Sequence, residues 1–369
     1  MENEKKQLNS NLSNRREFMT SASAVTAIGS ATSIACANTS APFRIDVQSH
    51  MYPPPVLDFM ATLDSVPRSY KKNGSYYTIT GEWHRRVRKA HTDVDVKLAA
   101  MDEAGIAITA LSINDPGPER FGANGPKIAA LAHDFIGDVI KSYPNRFFGL
   151  ATLPLQNEEA SRAELNRCVD NLGFRGILLY SNLGGQFPDE PQFRWLFGRA
   201  EQMDIPILLH PAYPMTYDAV KGYYMVAGLG LMFDTTIALS RLILAGILDE
   251  FPRLKLLCPH VGGTLPYLIG RIDHQTQVLG RGADKISKPP SEYLRQIYLD
   301  AVSPIPLGVQ YGLDFVGADR LLYASDHPWV DPKLIVSNVE ALHDTTGQPL
   351  DVATKTKIYR DNASKLFNL

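Results

Sequence analysis

Cysteine is scarce in this 369-residue chain: Cys36, Cys168 and Cys258 stand far apart, with no CxxC pair among them. That spacing offers neither a disulfide framework nor a zinc-finger ligand set, and Cys168 and Cys258 read as small buried residues. An excess of one charge is also lacking. The 37 Lys and Arg face 39 Asp and Glu, a net charge of −2 without a long run of either sign. Neither nucleic acid nor an anionic membrane is indicated as a partner. Heptads and low-complexity segments are absent, and no glycine-rich dinucleotide loop follows the first apolar run.

Residues 1–37 carry the one address the sequence offers. Asn14-Arg15-Arg16-Glu17-Phe18-Met19 precedes SASAVTAIGSATSIACA, an apolar run too short and too rich in small residues to anchor stably in a bilayer. Paired arginines before such a run resemble a twin-arginine export signal, which implies a periplasmic or otherwise exported protein. Cys36 as a lipid-anchor site is the lesser reading, because Ser33 stands where a lipobox has an aliphatic residue. No membrane span is expected in the mature chain.

The apolar content of 44% suffices for one large core. From residue 43 onward, short β-rich runs alternate with longer amphipathic segments. The runs are FRIDVQ, IAITALS, FFGLATLP, FRGILLYS, IPILLHP, LKLLCPH, IYLDAV and LLYASDHP. Between the first two, VDVKLAAMDEAG places Val94, Leu98 and Met101 at helical spacing, with Gly105 just past the end. Eight apolar strands separated by helices predict an α/β fold, a (β/α)8 TIM barrel over 43–369. A doubly wound open sheet is the alternative. Residues 65–92 read as a small insertion after the first strand, a hairpin followed by a basic turn. In that turn Trp83, Arg85, Arg86 and Arg88 form either a solvated surface or a lid meeting the substrate. The stretch 212–233 is long enough to cover a pocket.

The polar residues gather at one end of these runs. Gln48 and His50 end the first, His210 the fifth, His260 the sixth, and Asp326 with His327 the eighth. On a strand Gln48 and His50 share a face, whereas His327 points away from Asp326. Two imidazoles and one carboxylate on a barrel rim suit a divalent cation with open positions. Asp300, ending the seventh run, reads either as the residue that orients a rim histidine or as a helix cap.

DVQSH, LLHP, PHVGG and YASDHP, in this order, resemble the amidohydrolase superfamily, and more narrowly its aminocarboxymuconate-semialdehyde decarboxylase-like branch. The segment 233–273 is especially similar to that branch. The resemblance implies His50, His210 and Asp326 as metal ligands, His260 as acid/base with Asp326, and Arg271 of the GRID segment as a carboxylate-binding residue. It also implies one zinc or manganese ion, a small carboxylic acid substrate and a homodimer. Gln48 departs from the branch, which usually has histidine there and in some decarboxylases glutamate. A neutral amide oxygen in that place is a weaker ligand. The fourth run ends LLYS, without a lysine to bridge two metals, so a single ion is expected. Nonoxidative decarboxylation of a hydroxylated aromatic or unsaturated acid is the leading expectation. Hydrolysis of a lactone, ester or amide is the alternative, and a non-catalytic ligand-binding barrel the third reading.

Overall fold

The computed structural model describes residues 43–369, and the paired-arginine segment and Cys36 lie outside the described residues. Eight strands form one parallel sheet in sequence order: β1 (Arg44–Met51), β5 (Ile106–Ile113), β6 (Phe147–Ala151), β7 (Phe174–Tyr180), β8 (Ile207–His210), β9 (Leu256–Cys258), β10 (Tyr298–Asp300) and β11 (Leu321–Leu322). The order never reverses, which excludes the doubly wound sheet. Val47 N donates to Tyr323 O (3.3 Å), Asp326 N to Gln48 O (2.9 Å) and His50 N to His327 O (2.9 Å). These bonds join the first strand to the segment after the last, so the sheet curls into a barrel.

Strand residues such as Ile177, Leu178, Leu179, Leu208 and Leu257 are almost wholly buried, because each strand packs against side chains of the barrel interior and against the outer helices. The helix Gly125–Ser142 shows how the outer layer is specified. It buries Ile128, Ala132, Ile136 and Val139 on one stripe, at the spacing a 3.6-residue period requires. Each large aliphatic so buried contributes roughly 1.5–3 kcal/mol. The helical stretch Val226–Leu244 is long and apolar enough to cross a membrane. Its Ala238, Leu239, Leu242 and Ile243 are instead buried in the core, while Leu229, Phe233 and Ile237 stay exposed.

The insertion is a three-stranded antiparallel meander of β2 (Arg68–Lys72), β3 (Ser75–Thr80) and β4 (Trp83–Arg86). Asn73 and Gly74 both adopt positive φ between the paired residues Lys72 and Ser75, the two-residue hairpin geometry that Asn-Gly favours. Gly81, at φ 57°, opens the second tight turn. The segment read from sequence as a basic turn is therefore largely a strand. Its pleat leaves Trp83 and Arg85 partly buried and exposes His84 and Arg86.

Candidate metal centre and substrate cavity

Gln48 and His50 project from β1 to the same side, and their Nε2 atoms lie 3.4 Å apart. His210 ends β8. His260 and Asp326 follow their strands by two and four residues, so both sit on turns although the sequence pattern placed them on strand ends. Each adopts a left-handed backbone (φ 55° and 53°), as does Val261 (φ 56°). Non-glycine residues in that region carry a cost of order 1–3 kcal/mol, borne where the surroundings demand it. Asp300 supplies part of that demand: its Oδ1 accepts from His260 N (2.7 Å) and Val302 N (3.0 Å). It thus fixes the histidine through its backbone and caps no helix. Burial raises the Asp300 carboxyl to about 7.

The tautomers follow from the outer ring nitrogens. His210 Nδ1 lies 2.8 Å from Pro211 O, which can only accept, so Nδ1 carries the proton and Nε2 presents a lone pair. That Nε2 is buried without a partner. Ser112 Oγ reaches Ser49 O at 3.3 Å and stands 2.8 Å from His50 Nδ1. The hydroxyl therefore donates to the carbonyl and accepts from the ring, leaving a lone pair on His50 Nε2 as well. This nitrogen faces Asp326 Oδ1 at 3.3 Å. Ligand atoms of His50, His210 and Asp326 all lie within 4.8 Å of one another. Burial, followed by the neighbouring rings, holds His210 well below the ordinary histidine range. His50 is lowered mainly by burial, against the pull of Asp326. Two neutral imidazoles and an ionised carboxylate, all acceptors aimed at one point, fit a divalent cation.

Gln48 completes this arrangement. Its amide nitrogen donates to Asp326 Oδ1 (3.1 Å) and stands 3.4 Å from His260 Nε2, while its buried Oε1 has no partner. Which end of an amide is oxygen is set by the surrounding hydrogen bonds. A cation held by these acceptors would favour the reversed orientation, in which the amide oxygen could join the ligands. His260 Nε2 lies 3.7 Å from Asp326 Oδ2. Burial lowers its proton affinity, but the closeness of Asp326 and the charge of Asp300 outweigh that and raise it above 6.5. Asp326 itself is held far below the usual carboxylate range: burial opposes this, and His260 and His50 overcome it.

His133, Glu164 and Cys168 form a second close cluster. Thr152 N donates to His133 Nε2 (3.0 Å), and Nδ1 meets Glu164 Oε1 at 2.6 Å. Both ring nitrogens are committed, so this cluster braces a helix to the barrel.

A cavity of about 790 Å³ opens beside the centre. His210, His260 and Asp326 line one end. Ala227, Leu231 and Met232 come from the stretch that the sequence assigned to covering a pocket, and Pro266, Trp329 and Val330 add further apolar wall. Trp83, Arg85 and Arg86 reach in from the insertion. The Arg85 side chain is only 9% exposed and pairs with Asp115 Oδ2 at 2.9 Å. Its guanidinium also stacks over the Trp83 ring at 4.4 Å. The basic-surface reading therefore fails for Arg85.

Arg271 is exposed and outside the cavity lining. On the helix Leu265–Asp273 the buried residues are Leu265, Pro266 and Ile269. Arg271, two residues beyond Ile269, falls on the opposite face. Within one chain it does not meet a substrate at this centre. The last strand ends at Leu322, so alternation does not reach His327; its Nδ1 instead meets Lys97 Nζ at 3.0 Å, outside the cavity lining. Tyr223 and Tyr224 are 95% and 98% exposed, so neither packs within the chain.

A parallel barrel whose rim gathers two neutral histidines and a carboxylate around one point is the framework of a metal-dependent barrel enzyme. The amidohydrolase family model matches residues 45–369, and the chain belongs to that family. It is 30% identical over 331 residues to γ-resorcylate decarboxylase of Rhizobium sp. strain MTP-10005, covering 83% of this chain and 96% of that one. Among solved structures, 2,6-dihydroxybenzoate decarboxylase from Rhizobium superposes with a TM-score of 0.73 at 27% identity, over 88% of this chain and 98% of that one. A dihydroxybenzoic acid decarboxylase from Polaromonas sp. JS666, with bound manganese and the inhibitor 2-nitroresorcinol, gives 0.73 at 26% identity, over 89% and 97%.

Proposed function

We propose that this chain is a metal-dependent nonoxidative decarboxylase of a hydroxylated aromatic carboxylic acid. The observation that carries the reading is the convergence of His50 Nε2, His210 Nε2 and Asp326 Oδ1 beside a mostly apolar cavity that also admits His260 and Arg85. His50, His210 and Asp326, with the Gln48 amide oxygen, are the proposed ligands. A divalent ion bound there supplies charge stabilisation for the carboxylate and an adjacent oxygen. Two nitrogen and two oxygen donors without thiolate suit manganese as well as zinc, and the manganese in the Polaromonas relative supports the former.

The protein's own groups then divide the work. Leu231, Met232, Pro266 and Trp329 hold the ring and keep water out, and Arg85 offers a fixed cation to an anionic substituent. As the bond to the carboxyl carbon breaks, carbon dioxide leaves and the electron pair stays on the ring carbon. His260 delivers the proton that this carbon takes up. Asp326, facing His260 at 3.7 Å, favours the protonated form of the imidazole.

The test is carbon dioxide release from a panel of hydroxybenzoic acids by manganese-loaded protein, with and without a chelator. Release that stops on chelation and resumes with manganese is expected. Lactone or ester opening by the same sample, without carbon dioxide, would replace this reading with hydrolysis. Tight binding without turnover would make the chain a binding protein.

Two further readings belong here. Export through the twin-arginine pathway is supported by Arg15-Arg16 and the apolar run after them. A homodimer is supported by the exposed Tyr223, Tyr224, Phe233, Ile237 and Tyr267.

A further inference from the structure

One buried lysine stands outside the centre and takes no part in the chemistry above. Lys97 lies on the helix Val94–Glu103, where it and Met101 form the inward face, and it is only 1% exposed. An aliphatic residue is the ordinary occupant of such a position. Lys97 Nζ has three partners: Ser49 Oγ at 2.5 Å, His327 Nδ1 at 3.0 Å and His327 O at 3.2 Å. Ser49 lies between Gln48 and His50, and His327 follows Asp326. Ser49 Oγ also donates to His327 O (3.1 Å), the carbonyl that accepts from His50 N.

Three backbone bonds close the rest of the seam, from Val47 N, Asp326 N and His50 N. β11 contains only Leu321 and Leu322, so Asp326 lies beyond the regular ladder, held by the bond from its N to Gln48 O and by side-chain ties to its two neighbours. From the same side, Asp46 accepts from Ser325 N (2.9 Å) and Ser325 Oγ (2.6 Å). Asp46 and Lys97 thus grip the residues immediately before and after Asp326.

We propose that Lys97 is a positioning residue for the metal centre: by binding Ser49 and His327 together, it sets the separation between the strand carrying His50 and the turn carrying Asp326. The inference rests on the metal-centre reading above. Removing such support behind a ligand typically weakens metal binding by about 10–100-fold. A buried charge exchanged for an apolar side chain of similar volume often leaves stability unchanged or raised. Positioning and fold support therefore separate experimentally.

The experiment compares full-length wild type, Lys97→Met, Ser49→Ala and a remote control, Leu165→Ala, whose side chain is wholly buried. Manganese affinity is measured by competition with a fluorescent chelator, bound-manganese geometry by electron paramagnetic resonance, and metal-free stability by melting in excess chelator. Lys97→Met should bind manganese about 10–100-fold more weakly, with an altered resonance spectrum, yet melt metal-free at or above wild type. Ser49→Ala should show a smaller loss of the same kind. Affinity within about twofold of wild type, or a loss no greater than that of Leu165→Ala, overturns the proposal. If Lys97→Met does not fold, Ser49→Ala decides by the same criteria. A wild-type chain that takes up neither manganese nor zinc refutes the metal centre itself, and this inference with it.

Discussion

Gln48 is the residue on which the character of the centre turns. Its amide is neutral, so the proposed ligand set carries the single negative charge of Asp326. Gln48→Glu adds a second, and ligand charge strongly tunes divalent-ion affinity. Manganese should bind the Glu variant about tenfold more tightly, as titration against a competing chelator will read. Equal affinity in the two proteins would mean that this position does not reach the ion. His260 makes the complementary case. It stands beside the centre without being needed to hold the ion, so His260→Asn should keep its metal, by elemental analysis, while carbon dioxide release falls roughly 10²–10⁴-fold. Unchanged turnover would remove His260 from the proton transfer.

Among the elements, the meander after β1 contributes most that was not foreseen. Both Arg85 and Arg86 line the cavity, but the pleat of β4 against β3 leaves Arg85 partly buried and Arg86 exposed. A run of three arginines within four residues reads in sequence as a solvated surface, and only the register with β3 distinguishes Arg85 from Arg86. Arg85→Ala should raise KM for an aromatic acid by roughly tenfold or more, the loss of a charge-assisted hydrogen bond, with a smaller change in kcat. Arg85→Lys should recover part of it. An effect on kcat alone would place Arg85 in the chemistry and not in binding. Other elements were legible because a simple periodicity wrote them. The eight apolar runs gave the barrel, and the two-residue spacing of Gln48 and His50 gave their shared face. Arg271 was not legible, since its helix face depends on which neighbours pack inward. Lys97 was not legible for a similar reason: its place on the inward face depends on the partners that Ser49 and His327 offer there.

At the scale of the whole molecule, a buried acid makes stability depend on pH. The Glu119 side chain is 1% exposed, its nearest cation, Arg120 Nε, stands 4.0 Å away, and neither oxygen has a hydrogen-bond partner. Gly117 permits this packing: a Cβ there would come within 2.2 Å of Glu119 Oε2 and of the Tyr180 ring. Burial raises the acid from 4.5 to about 8. Below pH 4.5 the folded and unfolded chains both hold the proton and nothing is lost. Between 4.5 and about 8 the unfolded chain releases it while the folded chain keeps it, so stability falls as pH rises. Glu119→Gln should melt higher than wild type at pH 8.5 and show little difference at pH 4.5 by calorimetry. Equal destabilisation at both values would show the carboxyl to be ionised and paired.

The seam between β1 and the segment after β11 has a consequence for the order in which the protein is made. Gln48 and His50 are made long before Asp326, which comes 276 residues after His50. Contacts of such sequence separation form late, because a long loop must close first. Until they form, an emerging chain has histidines but no carboxylate opposite them. Closure of the barrel therefore also completes the centre, and a chain cut before β11 would keep both histidines but lack the one carboxylate proposed to join them.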